Sequence, residues 1–229
     1  MIGIITATSQ EFAALNKVVG TNKTGTMNFT KGRFGKTQIV GVQAGVGKVN
    51  AALCAQKLID YFHPDAIINV GVAGSLSPEL KIGDIVISED AVQHDFDTTF
   101  FYTNRGLDFG FDSLEFKADP RLVSAAESAA KTLGIGHKVG RIVSGDLFVS
   151  EEAKKQELAD TFHGLCCEME GGAIAQVCIV NRTPFIILRA ISDGADEGAA
   201  GTYLDFASFA AEEAFKLITT MLNDLNGRI

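Results

Sequence analysis

Short apolar runs alternate along this chain with segments whose apolar residues recur at helical spacing. The runs predict strands at residues 2–7, 36–43, 66–70, 84–88, 138–144 and 185–191. The other segments predict helices at residues 9–18, 120–133, 150–160, 172–180 and 204–225, and a glycine turn leading into a helix within residues 44–62. Strands buried on both faces have continuous apolar runs of this kind. The pattern therefore predicts an α/β fold, a single domain of residues 1–229 in which three α/β/α layers contain a central mixed, largely parallel twisted sheet flanked by helices.

Residues 95–116 interrupt this alternation, because they combine many aromatic side chains with little regular spacing. Such a segment fills the core, forms the wall of a pocket or makes a subunit contact, and we expect core filling first. Its phenylalanines are Phe96, Phe100, Phe101, Phe109, Phe111 and Phe116.

Composition narrows the classes of protein to consider. The formal net charge is −8, which argues against binding to nucleic acid phosphates. No apolar run reaches the roughly 18 residues that a membrane span needs, and the first residues lack the charged and apolar regions of a secretory leader. The four cysteines form no CxxC pair and no zinc-like grouping with histidine. We therefore expect a reduced, cytoplasmic protein without a membrane partner.

In open α/β sheets ligands bind beyond the carboxyl ends of the strands, so the residues that follow each predicted strand are the candidates for chemistry. The glycine turn at residues 45–48, GVGK, fits neither a P-loop nor a dinucleotide fingerprint, although its N–H groups are suited to holding an anion. A second predicted glycine turn, GVAGS, follows the strand at 66–70. Glu11 follows the first strand, in the first turn of a helix for which Ser9 is the predicted N-cap.

Asp193 ends an almost wholly apolar strand, where burial raises the pKa of a carboxyl group and suits it to general acid catalysis. Arg189 in the same strand is the expected countercharge, and a purely structural ion pair is the alternative. Glu168 and Glu170 precede the helix at 172–180. Only four scattered histidines are present, so we discount a metal site and retain catalysis, substrate binding or helix capping for the two glutamates.

Six segments together resemble a known family over essentially the whole chain. GIITATSQEF, AGVGKVNAA, INVGVAGSL, VSGDLFV, EMEGGAIAQVC and RAISDGAD occur in the order seen in 5′-methylthioadenosine/S-adenosylhomocysteine nucleosidases, which belong to the purine nucleoside phosphorylase superfamily. The resemblance implies hydrolysis of the N-glycosidic bond of these two nucleosides, with 5′-deoxyadenosine as a further candidate. The products are adenine and a 5-substituted ribose.

The resemblance also implies a role for individual residues. Glu11 matches the general base that activates water, Asp193 the general acid that protonates purine N7, and Arg189 an arginine near the water and the ribose. Phe101 matches an aromatic residue that a neighbouring subunit donates to the pocket for the 5′ group. The other implied substrate-binding residues are Gly74 beside the sugar, Val72 near the water, Phe148 and Val149 at the adenine, Met169 and Glu170 at the ribose, Ser192 beside the acid, and Tyr203 in the 5′ pocket.

The resemblance implies a homodimer that binds a small adenine nucleoside and needs no metal or organic cofactor. The sequence differs from the family pattern at three places near the water and the 5′ pocket. Val72 stands where serine is common and Thr8 where methionine often lies. The segment 95–116 is rich in phenylalanine instead of containing the family's usual glycine and proline. Alternatives therefore stay open. They are hydrolysis of an aminodeoxyfutalosine-type nucleoside, phosphorolysis with phosphate held at the turn 45–48, and nucleoside binding without catalysis.

Overall fold

The computed structural model describes residues 1–16, 27–101, 111 and 113–225, in which nine strands and six helices alternate. The strands are β1 (Ile2–Thr6), β2 (Thr30–Phe34), β3 (Thr37–Gln43), β4 (Ala66–Ser75), β5 (Ile85–Gln93), β6 (Phe116–Lys117), β7 (His137–Ser144), β8 (Cys166–Glu168) and β9 (Phe185–Asp193). The helices are α1 (Ser9–Asn16), α2 (Lys48–Phe62), α3 (Pro120–Leu133), α4 (Glu152–Phe162), α5 (Gly171–Asn181) and α6 (Ala199–Leu225).

The strands form one mixed sheet in the order β2-β3-β1-β4-β8-β7-β5-β6, with β9 paired to both β4 and β5. The parallel pairings are β1 with β3, β1 with β4, β4 with β9, β5 with β7, and β7 with β8. The antiparallel pairings are β2 with β3, β4 with β8, β5 with β6, and β5 with β9. The prediction of a mixed, largely parallel sheet is confirmed.

Helices cover both faces of this sheet. Neighbouring residues of one strand point to opposite faces, so Ile67 packs in a cluster with residues of α2 and α5, whereas Ile68 packs with residues of α1, α3 and α6. Both side chains are fully buried, as are Ile187 and Leu188 in β9. Burial on both faces explains the continuous apolar runs, and the three-layer α/β/α arrangement is confirmed.

The predicted glycine turn GVAGS is wrong, because β4 continues through this segment to Ser75. The glycines serve close packing instead. A Cβ atom on Gly71 would lie 2.5 Å from a carboxylate oxygen of Glu11, and one on Gly74 would lie 2.8 Å from a carboxylate oxygen of Asp193. Glycine in a strand can mark such close approach as well as a turn, and the sequence pattern alone did not distinguish the two.

Three short strands were not predicted. β2 alternates buried and exposed positions at one end of the sheet, and its sequence TKGRF contains too few apolar residues to stand out. β6 and β8 contain two and three residues, so neither carries a periodic signal. Each of these strands depends on a neighbouring strand for its hydrogen bonds.

The aromatic segment at 95–116 only partly fills the core. Phe116 is buried and packs edge-on against the half-buried Phe111 at 5.3 Å between ring centres. In contrast, Phe100 is 91% exposed and Phe101 is 67% exposed, and the two rings pack on each other at 5.0 Å. Core filling is therefore wrong for this pair, and Phe109 lies outside the described residues.

All four cysteines are buried and none forms a disulfide. Cys54 and Cys178 pack inside α2 and α5 against the sheet, as expected for small apolar side chains. Within the ranges that the structure describes, no helix is both long and apolar enough to cross a membrane.

Candidate active site

A cavity of about 340 Å³ opens where the carboxyl ends of β1, β4 and β9 meet the start of α1 and the β8–α5 connection. Its volume lies in the range of sites for small molecules. Nine of the predicted site residues line it, and these are Glu11, Val72, Gly74, Phe148, Met169, Glu170, Ser192, Asp193 and Tyr203. Val149 is buried and lines a smaller adjoining cavity of about 40 Å³.

Glu11 is held at the start of α1 by a capping box. The Glu11 N–H donates to Thr8 Oγ1 at 3.3 Å, and the Thr8 N–H donates back to Glu11 Oε2 at 2.9 Å. The N-cap is therefore Thr8, and the prediction of Ser9 was wrong by one residue. The segment Thr8–Glu11, TSQE, matches the capping-box pattern T-x-x-E, so the sequence contained the signal.

Two further N–H groups fix the Glu11 carboxylate. The N–H of Ala7 donates to Oε2 at 2.8 Å, and the N–H of Val72 in β4 donates to Oε1 at 3.1 Å. The carboxylate can approach β4 this closely because Gly71 has no side chain. Glu11 is thus both a helix-capping residue and a fixed wall of the cavity.

Arg189 pairs with Glu168 and not, as predicted, with Asp193. Its Nη2 lies 2.5 Å from Glu168 Oε2 and 2.6 Å from Asn69 Oδ1, and both charged side chains are 2% exposed. Burial lowers the pKa of Arg189, but the charges of Glu168, Glu170 and Glu11 outweigh this and raise it above the ordinary value. The side chain lies behind the cavity wall and does not line it.

A bulge in β9 explains why Arg189 and Asp193 do not pair. Ala73 of β4 faces Ile191, but the next residue, Gly74, faces Asp193, so Ser192 is an extra residue in β9. An extra residue interrupts the alternation of side chains between the two faces of the sheet. Period-two counting from Arg189 therefore fails at Asp193.

Glu168 and Glu170 have separate positions. The Glu168 carboxylate accepts the N–H groups of Glu170 at 3.1 Å and Gly171 at 2.7 Å, and thereby caps α5. It also accepts the hydroxyl of Ser144 from β7. All of these donors, together with Arg189, hold Glu168 in place at the edge of the cavity, which it also lines.

Glu170 faces the cavity, and its Oε1 accepts the N–H of Gly47 at 2.9 Å. Burial, together with the neighbouring charge of Glu168, raises the pKa of Glu170 to about 7. Arg189 opposes this rise, but its guanidinium is 4.0 Å from Glu170 and is already paired with Glu168. The cavity therefore contains a carboxyl group, that of Glu170, whose negative charge Arg189 balances only in part.

Asp193 ends β9 with its carboxyl group buried on the cavity wall. Burial raises its pKa, although the N–H of Ala195 at 2.9 Å and the hydroxyl of Ser192 at 2.8 Å both favour the ionised form. A raised pKa keeps a proton on the carboxyl group at higher pH than usual, as a general acid requires.

Apolar side chains form the remainder of the cavity. Phe148 and Tyr203 pack edge to face at 5.9 Å between ring centres, and Met169 lies between the two glutamates of the β8–α5 connection. Phe101 does not line the cavity of its own chain. The predicted donation of Phe101 to a neighbouring subunit is not tested by a single chain and stays a prediction.

The GVGK turn binds carboxylates of this same chain. The N–H of Gly47 donates to Glu170, and the N–H of Lys48 donates to Asp146 at 2.7 Å. The ammonium group of Lys48 pairs with Asp95 at 2.6 Å. The N–H groups of this turn do bind anionic groups, as predicted. The anions are side-chain carboxylates of the same chain, and they use the N–H groups that a phosphate would need.

Sequence reasoning missed Cys167 as a lining residue. Its thiol lies 3.7 Å from the carbonyl oxygen of Gly74, and burial raises its pKa to about 12. A thiol with so high a pKa is a weakly polar wall and not a nucleophile. No sequence signal distinguished it from Cys166, which faces the core.

The charges of the site suit a reaction that develops positive charge. Four acidic residues line the cavity, Glu11, Glu168, Glu170 and Asp193, and Glu168 pairs with the buried guanidinium of Arg189. Negative groups fixed around a site stabilise a cationic transition state, because they need no reorganisation during the reaction. Asp193, whose pKa burial raises, lies on the wall of the same cavity.

Comparisons with known proteins agree with this site. The profile of the phosphorylase superfamily matches residues 1–223. The chain is 40% identical over 225 residues to the 5′-methylthioadenosine/S-adenosylhomocysteine nucleosidase of Geobacillus kaustophilus (strain HTA426), which covers 96% of this chain and 95% of that protein.

Solved structures match this chain over nearly their whole length. The crystal structure of the Neisseria meningitidis 5′-methylthioadenosine/S-adenosylhomocysteine nucleosidase with methylthio-immucillin-A has a TM-score of 0.94 and 35% identity, covering 98% of this chain and 99% of that one. The futalosine hydrolase of Helicobacter pylori strain 26695 has a TM-score of 0.93 and 31% identity, covering 98% and 97%. The chain therefore belongs to the phosphorylase superfamily, and within it to the family of 5′-methylthioadenosine/S-adenosylhomocysteine nucleosidases.

Proposed function

We propose that this protein hydrolyses the N-glycosidic bond of 5′-methylthioadenosine and S-adenosylhomocysteine, releasing adenine and the 5-substituted ribose. One observation carries the proposal: a fixed carboxylate, Glu11, and a carboxyl group with a raised pKa, Asp193, line the same nucleoside-sized cavity. Hydrolysis of this bond needs a base for water and an acid for the leaving purine. The family assignment supports the same reaction.

The proposed reaction begins with adenine against Phe148 and Val149 and with the ribose hydroxyls donating to Glu170. Asp193 donates its proton to purine N7, the bond between C1′ and N9 breaks, and N9 keeps the bonding electrons. Glu11 accepts a proton from the water whose oxygen bonds to C1′ on the opposite side. Glu170 stabilises the positive charge that develops on the sugar. Arg189 acts as a positioning residue through Glu168.

Substitution of the acid and the base tests these roles. Glu11→Gln and Asp193→Asn each preserve side-chain size, and each is expected to lower kcat for adenine release by about 10²–10⁴-fold. Gln156→Glu on the exposed face of α4 serves as a control that is expected to retain activity. Full turnover by either active-site variant would contradict the role assigned to that residue, whereas no release by the unmodified protein would contradict the function.

A related adenine nucleoside is a second candidate substrate, because futalosine hydrolase is among the structures that match at 31% identity. Side-by-side kcat/KM values for methylthioadenosine, S-adenosylhomocysteine and an aminodeoxyfutalosine-type nucleoside decide between them. Phosphorolysis ranks lower, because carboxylates already occupy the N–H groups of Gly47 and Lys48. Adenine release that depends strictly on added phosphate would reverse this ranking.

We further infer a cytoplasmic homodimer in which Phe101 completes the partner's cavity. Exposed apolar residues on α2 and α5 support a subunit contact, among them Val49, Leu53 and Val180. Light scattering on purified protein tests the dimer. If Phe101 acts in the partner's site, Phe101→Ala raises KM, and mixing it with inactive Glu11→Gln chains restores one functional site per mixed dimer. A monomer in light scattering would contradict the homodimer. An unchanged KM in Phe101→Ala would contradict the role of Phe101 in the partner's cavity.

A further inference from the structure

Three charged residues outside the cavity hold together the segments that line it. The ammonium group of Lys48 lies 2.6 Å from Asp95 Oδ1, and Asp95 Oδ2 accepts the N–H of Asp146 at 2.9 Å. Asp146 Oδ1 in turn accepts the N–H of Lys48 at 2.7 Å. These three residues, which we call the Lys48 cluster, form a closed ring of contacts. None of the three lines either cavity of the site.

The Lys48 cluster joins three segments that are far apart in the sequence. Lys48 begins α2, Asp95 follows β5, and Asp146 lies between β7 and α4. The N-cap residue of α2 is Gly47, which has no side chain to accept the N–H groups of the first turn. The carboxylate of Asp146 accepts one of them instead, at a helix end where negative charge is favourable. The cluster therefore fixes the start of α2 against the β7–α4 connection.

The turn before α2 carries the N–H group that binds Glu170. Gly45 and Gly47 have φ angles of 91° and 97°, in a region that favours glycine, and glycine has more backbone freedom than other residues. Such a turn keeps one conformation only where contacts hold both of its ends. The N–H of Gly45 donates to the carbonyl oxygen of Ala7 at 3.1 Å, and the Lys48 cluster holds the other end. The cluster thereby supports the bond of 2.9 Å between the Gly47 N–H and Glu170 Oε1.

The same cluster anchors the segment that carries Phe148. Asp146 precedes Phe148 by two residues, and both its N–H and its carboxylate are bound within the cluster. The side chain of Phe148 is 44% exposed and lines both cavities. A partly exposed side chain has fewer neighbours than a buried one, so the position of this ring depends on the backbone beside it.

We propose that the Lys48 cluster positions two groups that contact the substrate, the ring of Phe148 at the base and the carboxylate of Glu170 at the ribose. Lys48, Asp95 and Asp146 are positioning residues, because they act through these two groups and do not touch the substrate themselves. Loss of the ammonium group of Lys48 would then weaken the binding of the base and of the sugar together. The inference rests on the proposed function, since it assigns the support of the same site.

The ionisation of Glu170 reports the state of the cluster. Burial and the charge of Glu168 raise the pKa of Glu170 to about 7, whereas Arg189 and the N–H of Gly47 lower it. The ionised form accepts the ribose hydroxyls, so loss of this N–H should move the acidic limb of the kcat/KM profile upward by about 0.5–1 pH unit. The charged or titratable groups that face Glu170 are Glu168, Arg189, Glu11 and Tyr203, and none of them belongs to the cluster.

Substitution of the two side chains of the ion pair tests the proposal. Lys48→Met removes the ammonium group and keeps an apolar stem, and Asp95→Asn removes the countercharge with little change in size. Each is expected to lower kcat/KM for adenine release about 3- to 30-fold, chiefly through KM, and to move the acidic limb upward by about 0.5–1 pH unit. Lys48→Arg keeps the charge and should restore most of both effects. Lys131→Met, which breaks an exposed pair with Glu127 on α3, is the matched control and should cause neither effect.

A second measurement needs no turnover. The side-chain carboxyl carbon of Glu170 is followed by ¹³C NMR as the pH varies, and Glu170→Gln assigns the signal. The midpoint of this titration should lie about 0.5–1 pH unit higher in Lys48→Met than in the unmodified protein, and Lys131→Met should leave it unchanged. A cluster that only stabilised the fold would lower the midpoint of urea unfolding without moving this titration.

The outcomes separate this inference from the proposed function. If KM, the acidic limb and the titration of Glu170 are all unchanged in Lys48→Met and in Asp95→Asn, the positioning role is wrong, whatever the two variants do to the urea midpoint. Absence of adenine release by the unmodified protein would overturn the proposed function, and the titration of Glu170 would still test the cluster.

Discussion

At the scale of single residues, the site depends on two glycines without side chains as much as on its carboxyl groups. Gly71 and Gly74 in β4 allow two carboxyl groups to lie against the strand. These two contacts place Glu11 and Asp193 on one cavity, although 182 positions separate them in the sequence numbering, 193 minus 11. The chemistry therefore depends on strand residues that carry no functional group.

Gly71→Ala is expected to lower kcat at least about 10²-fold, since the added Cβ would lie 2.5 Å from Glu11 Oε1 and displace a carboxylate that three N–H groups hold. Gly201→Ala is the matched control. Nothing lies within 4 Å of its added Cβ in α6, so it should retain activity and stabilise the helix by roughly 0.5–1 kcal/mol. Equal kinetics for the two variants would contradict the close-approach argument.

Ser192 provides a test of the acid that leaves Asp193 itself unchanged. Its hydroxyl donates to Asp193 Oδ2 and favours the ionised form, so Ser192→Ala raises the pKa of Asp193 further. Activity that needs the proton is lost as pH rises through this pKa. The alkaline limb of the kcat/KM profile should therefore move upward by about 0.4–1 pH unit. Ser124→Ala, on the surface of α3, should not move it.

At the scale of elements, the β8–α5 connection assembles the site. Glu168 ends β8, caps α5, accepts a hydroxyl from β7 and pairs with Arg189 in β9. One buried carboxylate thus ties four elements together at the point where Met169 and Glu170 enter the cavity. Its position also explains why Arg189 leaves Glu170 incompletely neutralised.

Glu168→Gln should destabilise the fold by about 3 kcal/mol in urea unfolding, because it removes the closer of the two carboxylates that face the buried guanidinium of Arg189. The exposed pair of Glu127 and Lys131 on α3 provides the comparison, and Glu127→Gln should change stability by less than about 0.5 kcal/mol. A separate readout distinguishes positioning from stability: with Glu168 neutral, Arg189 is free to pair with Glu170, so the acidic limb of kcat/KM should move to lower pH.

At the scale of the whole molecule, acidic charge limits stability. The chain carries a formal net charge of −8, and Glu170 and Asp193 are carboxyl groups whose pKa burial raises in the folded state. Between the unfolded and the folded pKa, the folded protein binds more protons than the unfolded chain. Stability therefore falls as pH rises through this window, which for Glu170 extends from 4.5 to about 7.

Glu170→Gln removes this dependence while keeping an oxygen that can accept the N–H of Gly47. The variant should be more stable than the original protein by roughly 1–3 kcal/mol at pH 8, and the difference should shrink toward pH 5. Thermal or urea unfolding at the two pH values measures it. The variant should also bind the ribose poorly, so stability rises as activity falls. A difference that does not vary with pH would contradict the raised pKa.

The sequence determined the layers, because strands buried on both faces require continuous apolar runs and helices require amphipathic ones. It also indicated Glu11, Glu170 and Asp193 as candidates, since each follows or precedes a predicted element at the sheet edge where ligands bind. The capping box in TSQE was present as a local pattern and was misassigned by one residue.

Only the tertiary structure decided which charged groups meet. The bulge at Ser192 separates Arg189 from Asp193, and the pairing of β8 beside β7 brings Glu168 to Arg189 instead. The same packing turned the glycines of β4 from predicted turn residues into contact points for carboxyl groups. Local patterns report the preferences of neighbouring residues, whereas these contacts join positions far apart in the chain and depend on register, which a single added residue changes.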